Sequence, residues 1–385
     1  MGGFSYLTDH GRKLLPKYQY KGTDRSLFYK YVSSPACNVI CEYIPDYVAP
    51  NLITFVGLLF MVAGHVVVLN FSPDLAGNLP PWVCVFQACM GLIYQTMDNL
   101  DGKQARRTGT SSPLGLLFDH GIDAIVVTIG ALSLSAIFQL GCTWKTLIFW
   151  MSGAGGFYMA SWEEYYTNEF DLPPINGPSE GILLFTALEL LTAWKGVGIW
   201  TAETFVPGVQ NNSLFVLIIL VGSFFTILGN AGAVYRAEHR KKHMKVHFLK
   251  ALSKVLPFVA LNALAFLWLR LSKKNIMELH PRLVIWTLGL AFAKLVMLLI
   301  VAHMCDEEYH PWRRSIIPIF FMAAHVCYSF IQNNYSSLDE KQIIEELFFV
   351  SVLAYSHMAY SLVKDCCEIL DIYCFTIKKK GKKRT

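Results

Sequence analysis

Apolar residues run along this chain in blocks separated by short polar stretches. A hydrocarbon core about 30 Å thick takes about 20 helical residues to cross. On that length rule the blocks predict roughly ten membrane spans, near 50–71, 82–100, 115–139, 144–162, 181–199, 213–235, 248–271, 282–303, 315–332 and 342–363. Ahead of the first block, RSLFYKYVSSPACNVICEYIPDYVAP mixes apolar, aromatic and charged residues, the pattern of a helix lying in the membrane interface. Tyr43, Tyr47, Trp82, Trp144 and Trp162 fall near span ends, as interfacial aromatics do. The predicted fold class is therefore an all-α polytopic membrane protein of about ten transmembrane helices with an N-terminal interfacial amphipathic helix.

Composition supports this reading. Of 385 residues, 54% are hydrophobic and only 16% charged, against about 25% charged in soluble domains. Membrane lipid, not nucleic acid, is the expected partner. The start MGGFSYLTDHGRKLLPKYQY lacks the apolar run and small-residue cleavage site of a signal peptide. Lys103, Arg106 and Arg107, the basic stretch RAEHRKKHMK, Arg313 with Arg314, and the tail KKKGKKRT all fall on one side if ten spans are counted; Lys273, Lys274 and Arg282 dissent. The positive-inside rule makes that side cytosolic, with both termini there. Sequons at Asn211 and Asn334 then fall on the lumenal side. The ten cysteines show neither zinc spacing nor a disulfide framework and read as small hydrophobes. The terminal Lys382-Lys383-Arg384-Thr385 has the form of a dilysine retrieval signal for the endoplasmic reticulum, with the Golgi as the neighbouring alternative.

Four aspartates interrupt this apolar pattern. Asp98, Asp101, Asp119 and Asp123 lie in TMDNLDGKQARRTGTSSPLGLLFDHGIDAI, where both ends merge into apolar segments. Ionised carboxylates at such positions are costly unless compensated, and bound cations are the simplest compensation. Asp98 and Asp101 are three apart, Asp119 and Asp123 four apart. On helices each pair shares a face, so two opposed faces enclose a polar cavity. Oxygen-only ligands favour Mg²⁺, Mn²⁺ or Ca²⁺ over zinc or copper. Gly102, Ala105 and Gly115 allow close approach, and Arg106 and Arg107 suit phosphate oxygens. Carboxylates, metal and arginine together describe a phosphoryl or pyrophosphate site.

The run reads D-x2-D-G-x2-A-R-x8-G-x3-D-x3-D. It resembles the signature of the CDP-alcohol phosphotransferases, with every fixed position filled by Asp98, Asp101, Gly102, Ala105, Arg106, Gly115, Asp119 and Asp123. The flanks DGKQARRT, SSPLG, FDHG, APNLIT, WEEYYTNEFDLPPINGPSEG, AHMCDE and LDIYCF resemble the eukaryotic choline/ethanolamine branch, the plant-type aminoalcohol phosphotransferases above all. The likeness runs from about residue 20 to about residue 377. It implies two Mg²⁺ or Mn²⁺ ions held by the four aspartates on the diphosphate of CDP-choline or CDP-ethanolamine. The acceptor it implies is diacylglycerol, and the products phosphatidylcholine or phosphatidylethanolamine and CMP. It also implies a homodimer and a layout of 1–49 as N-terminal and interfacial segment, 50–235 as six-helix catalytic core, 236–363 as four-helix support or dimer surface, and 364–385 as basic tail.

Within that expectation, His120 is favoured as general base, with Asp123 the other candidate; a neutral imidazole suits proton acceptance near pH 7, whereas a metal-bound carboxylate is a poor base. Asn51 either caps a span or contacts the nucleotide. Lys103 and Gln104 are expected beside the nucleotide, Arg106 on phosphate, and Arg107 on phosphate or as a positive-inside anchor. Leu116 stands where relatives carry Glu, which puts the substrate pair and the choice of base in question. The acidic stretch Glu163, Glu164, Glu169, Asp171 and Glu180 is a solvated connector or a cationic head-group site, with Trp162 and Tyr165 available for cation–π contact. His303, Asp306 and Glu307 read as ion-pair partners of the basic loops. The rivals are transfer of another head group or to another acceptor, and a divalent-cation transporter. A conduction path has no need of an arginine in the DG-x2-AR element.

Overall fold

The computed structural model describes residues 5–239, 244–272, 274–310, 317–331 and 339–378. Arg313, Arg314, Lys273, Asn334, the end of the tail and the middle of RAEHRKKHMK lie outside them. The helices are α1 (Asp9–Leu14), α2 (Ser34–Tyr43), α3 (Pro50–Phe71), α4 (Pro81–Thr108), α5 (Pro113–Ile137), α6 (Trp144–Thr167), α7 (Ile182–Lys195), α8 (Gly198–Thr201), α9 (Asn211–His239), α10 (Met244–Ser253), α11 (Leu256–Leu271), α12 (Ile276–Leu279), α13 (Pro281–Met304), α14 (Ile317–Ile331) and α15 (Glu340–Leu370).

A helix falls on each of the ten apolar blocks. Among the described residues five of them, α3, α5, α9, α13 and α15, are long and apolar enough to cross a membrane. The protein is thus a mostly helical, polytopic membrane protein. One departure from an all-α fold is a pair of short parallel strands, β1 (Gly22–Asp24) and β2 (Phe170–Leu172), with Gly22 opposite Phe170. They tie the N-terminal segment to the end of α6.

The core centres on α13, which is buried along most of its length and packs against α5, α6 and α15. Register between these helices is set by specific contacts. Trp150 Nε1 donates to Thr128 Oγ1 at 3.2 Å, and Tyr355 of α15 donates to the Gly121 carbonyl at 3.1 Å. By contrast, α9 turns Leu217, Ile218, Phe224 and Phe225 outward, the arrangement a hydrocarbon surround favours over water.

α4 runs eight residues beyond the apolar block that predicts it, so Asp101 through Arg107 lie on helix and not in a loop. Polar residues continue the backbone hydrogen bonds as well as apolar ones; the first true breaker is Gly109. It takes φ +65°, and Gly109 and Thr110 return N–H bonds to Arg106 and Ala105, a glycine cap that a side chain would strain. Ser112 then caps α5 by accepting from the Gly115 N–H, with Pro113 in the first turn, both strong helix starters. This short connection folds the two aspartate-bearing helices back on each other.

Candidate metal centre and active site

Asp98 comes from α4, Asp119 and Asp123 from α5, and one carboxylate oxygen of each lies within 4.8 Å of the others. Asp101, three residues on from Asp98 along α4, is buried but is not one of the three carboxylates brought within that distance. Its Oδ2 accepts a hydrogen bond from Thr54 of α3, so a third helix helps to orient it. Asp123 Oδ1 accepts from the Tyr94 hydroxyl. Asp98 Oδ1 and Asp119 Oδ1 are buried with no hydrogen-bond partner among the described residues. Uncompensated carboxylate oxygens in a buried site are expensive. An all-oxygen donor set with open lone pairs fits hard divalent cations.

His120, next to Asp119 on α5, is buried, and its Nδ1 has no hydrogen-bond partner among the described residues. Its ring is enclosed by Tyr20, Phe157 and Phe170, with centroids at 6.3, 6.1 and 5.0 Å. Tyr20 comes from the N-terminal segment and Phe170 from β2. The Tyr20 ring folds back over Gly22, where a Cβ would overlap its hydroxyl end. Desolvation, then the charges of Glu164 and Asp119, push the Tyr20 phenol up, so it stays protonated.

The remaining predicted residues divide. Asn51 is buried at the start of α3; its side-chain oxygen faces Gly115, and its Nδ2 donates to Cys374 Sγ at 3.7 Å. Gly102 and Ala105 lie on the same stretch of α4, and the Arg106 guanidinium is 3.4 Å from where a Cβ on Gly102 would sit. Arg106 itself is exposed beside the cluster, able to meet a phosphate.

Gln104 and Arg107 do not reach the cavity. Gln104 is fully buried, donates to the carbonyls of Pro45 and Val48 at 3.1 and 3.0 Å, and accepts from Cys41 Sγ. Arg107 donates to the carbonyls of Cys41 and Ile44 and pairs with Asp46 at 3.2 Å. Arg107 thus serves the C-terminal end of α2, whose last carbonyls need donors, and Gln104 fixes the turn that follows it. Lys103 likewise donates to Ser34 and Asn38 of α2, at 2.9 and 2.7 Å. Leu116 is buried in the main apolar core.

The acidic stretch is largely partnered by residues 23–28, which corrects its reading as a solvated connector. Asp171 pairs with Arg25, Glu169 accepts from Thr23, and Glu180 accepts from Ser26 Oγ at 2.6 Å and from the Phe28 N–H. Trp162 is fully buried with its N–H on the Ala251 carbonyl, and Tyr165 donates to the Glu307 carbonyl. These contacts commit Trp162 to the core.

Reading the sequence misses two groups at the site. Tyr18 and Tyr20 precede every span, and His303 comes from the far end of α13. Tyr18 packs edge-on to His303 at 5.4 Å and reaches Glu164 Oε1 at 3.5 Å. A histidine and a glutamate at apolar span ends are the only sequence signals of this group.

Clustered carboxylates on two helices of a membrane bundle, with an arginine on the same stretch of α4, are the kind of arrangement that metal-dependent phosphoryl transfer requires. The family model described as CDP-alcohol phosphatidyltransferase matches residues 47–206. Choline/ethanolaminephosphotransferase 1 of Arabidopsis thaliana is 33% identical over 97% of this chain and 99% of its own length. An uncharacterized CDP-alcohol phosphatidyltransferase class-I family protein 3 of Dictyostelium discoideum is 34% identical over 94% and 96%. Ethanolaminephosphotransferase 1 of Homo sapiens is 28% identical over 98% and 96%. The chain belongs to the CDP-alcohol phosphatidyltransferase family and is a transferase. Members of that family work with divalent metal ions, which the carboxylate cluster fits.

Proposed function

We propose that the protein transfers phosphocholine or phosphoethanolamine from CDP-choline or CDP-ethanolamine to diacylglycerol, forming phosphatidylcholine or phosphatidylethanolamine and releasing CMP. The observation that carries this is the convergence of Asp98, Asp119 and Asp123 with two partnerless carboxylate oxygens. The names of the relatives given above supply the substrate class.

Asp98, Asp101, Asp119 and Asp123 would hold two Mg²⁺ or Mn²⁺ ions, which when bound neutralise charge on the diphosphate and on departing CMP. Thr54 and Tyr94 keep Asp101 and Asp123 in the orientation that this requires. Arg106 binds diphosphate oxygens, with Gly102, Ala105 and Gly115 leaving room for the nucleotide and Asn51 beside it. The diacylglycerol oxygen attacks the phosphorus bearing the amino-alcohol, in line with the bond to the bridging oxygen of CMP. That bond breaks, CMP leaves with the electron pair, and the hydroxyl proton passes to His120. Its partnerless Nδ1 supports this role over Asp123, one of whose oxygens already accepts from Tyr94. His120 is itself buried, which limits the access of bulk water to its ring.

The same reading carries ten spans, an interfacial helix at α2, both termini in the cytosol, residence in the endoplasmic reticulum and a homodimer. It divides the chain into a core at 50–235 and a surround at 236–363, with 1–49 and 364–385 flanking. α13 of the surround packs directly on α5 and α6, so it helps to close the site. The test is purified protein in detergent with labelled CDP-choline or CDP-ethanolamine, diacylglycerol and Mg²⁺. Stoichiometric CMP release is expected. No release with either donor, together with metal flux in proteoliposomes, would return the chain to a cation-transport reading.

A further inference from the structure

Glu164 is a buried carboxylate, 2% exposed, that the transfer chemistry does not use. Among the described residues its nearest donors are far: the Tyr18 hydroxyl at 3.5 Å and His303 Nε2 at 3.9 Å. The first is at the limit of a hydrogen bond and the second beyond it. A carboxylate in such a place needs a close positive partner. The Tyr18 hydroxyl borders it, and Tyr20 follows two residues on in the same segment.

Tyr20 connects this group to the metal centre. Its ring packs edge-on to His120, the residue after Asp119, while Tyr18, two residues before it, reaches Glu164. Helix register gives the same placement. Trp150 of α6 meets Thr128 of α5, which sets Glu164 fourteen residues further along α6, level with the first turns of α5 that carry Leu116 and Asp119. The group thus stands one aromatic ring away from where the diphosphate would sit. In the donor, a two-carbon linker separates the phosphate oxygen from a positively charged nitrogen.

We propose that Glu164, flanked by Tyr18 and backed by His303, is the subsite for the cationic nitrogen of the amino-alcohol head group. A buried carboxylate beside a tyrosine suits an ammonium or quaternary ammonium ion, which would hold it ionised, and in that form it repels phosphate, so it orients the donor with phosphates on the aspartates. The inference rests on the transferase reading above and specifies its donor.

The test compares KM for CDP-choline and CDP-ethanolamine with inhibition by CMP, which shares the nucleotide and lacks the cation. Glu164→Gln should raise KM for both donors at least about tenfold, as loss of a charge-assisted contact does, and leave CMP inhibition unchanged. Glu164→Asp should retain most of the affinity. Unchanged KM, or a parallel loss of CMP affinity, would reduce Glu164 to a tie between α6, α13 and the N-terminal segment and overturn the subsite. If Glu164→Gln does not fold, Tyr18→Phe must still raise donor KM selectively; no selective change overturns it equally. A wild type that turns over only CDP-alcohols with uncharged head groups would remove the donor reading as well, which separates that failure from failure of the subsite alone.

Discussion

Replacing Asp119 by Asn should make the metal-free protein more stable and the metal-bound protein less so. In the absence of cations Asp98, Asp119 and Asp123 crowd their oxygens within 4.8 Å. Two unit charges at that separation repel by about 3.5 kcal/mol at an effective dielectric near 20. Shared protons relieve part of this, so removing one member should release about 1–3 kcal/mol. With saturating metal the sign reverses. A ligand at a hundred times its Kd stabilises the wild type by about 2.7 kcal/mol, and the variant forfeits most of that because a neutral amide is a poorer ligand for a hard cation. The assay is thermal unfolding in detergent, first with chelator and then across an Mg²⁺ titration, with CMP release measured on the same samples. The expected pattern is a higher midpoint in chelator, a flattened Mg²⁺ response and no turnover. A variant that melts below the wild type in chelator yet keeps the full Mg²⁺ shift would refute the idea that these oxygens repel one another and share a cation.

The two adjacent arginines should separate cleanly. Arg106→Ala should raise KM for the CDP-alcohol with little change in melting, whereas Arg107→Ala, which strips donors from the Cys41 and Ile44 carbonyls, should cost about 1–3 kcal/mol of stability and leave KM alone; the same kinetic and melting measurements check both. His120→Ala should lower kcat by about 10²–10⁴-fold with nucleotide affinity retained, read from initial rates and CMP inhibition. Glu308, outside the spans, is held down at about 2 by hydrogen bonds from Lys254 and Lys250. Its folded value is below its unfolded one, so its contribution is present above about pH 4.5 and fades as pH falls towards 2. The melting difference between wild type and Glu308→Gln should shrink over that window, and a constant difference would discard the pairing.

Much of the site was legible in the residue order because helical spacing is geometry. Aspartates three and four apart share a helix face whatever the rest of the chain does, and Gly109, Ser112 and Pro113 mark where one helix ends and the next begins. The end of α4 at Thr108 is not legible in the same way, since apolar length reports depth in a bilayer and not where backbone hydrogen bonding stops. Gln104 and Arg107 lie beside Gly102 and Arg106 in sequence, yet point to the other side of α4 and fasten α2. Residue type alone cannot say which face of a helix meets a neighbour.

By itself the sequence determined that the chain is a membrane helical protein and pointed to its aspartates as a shared polar enclosure, of which the structure brings Asp98, Asp119 and Asp123 together, because burying apolar blocks and compensating charge are local demands. Only the tertiary structure decided that Tyr20 packs on His120, that Glu164 stands beside Tyr18 and His303, and that Glu169, Asp171 and Glu180 hold residues 23–28. Those contacts join the N-terminal segment, α6 and α13. They depend on how helices far apart in the chain are set against one another, which no local spacing specifies.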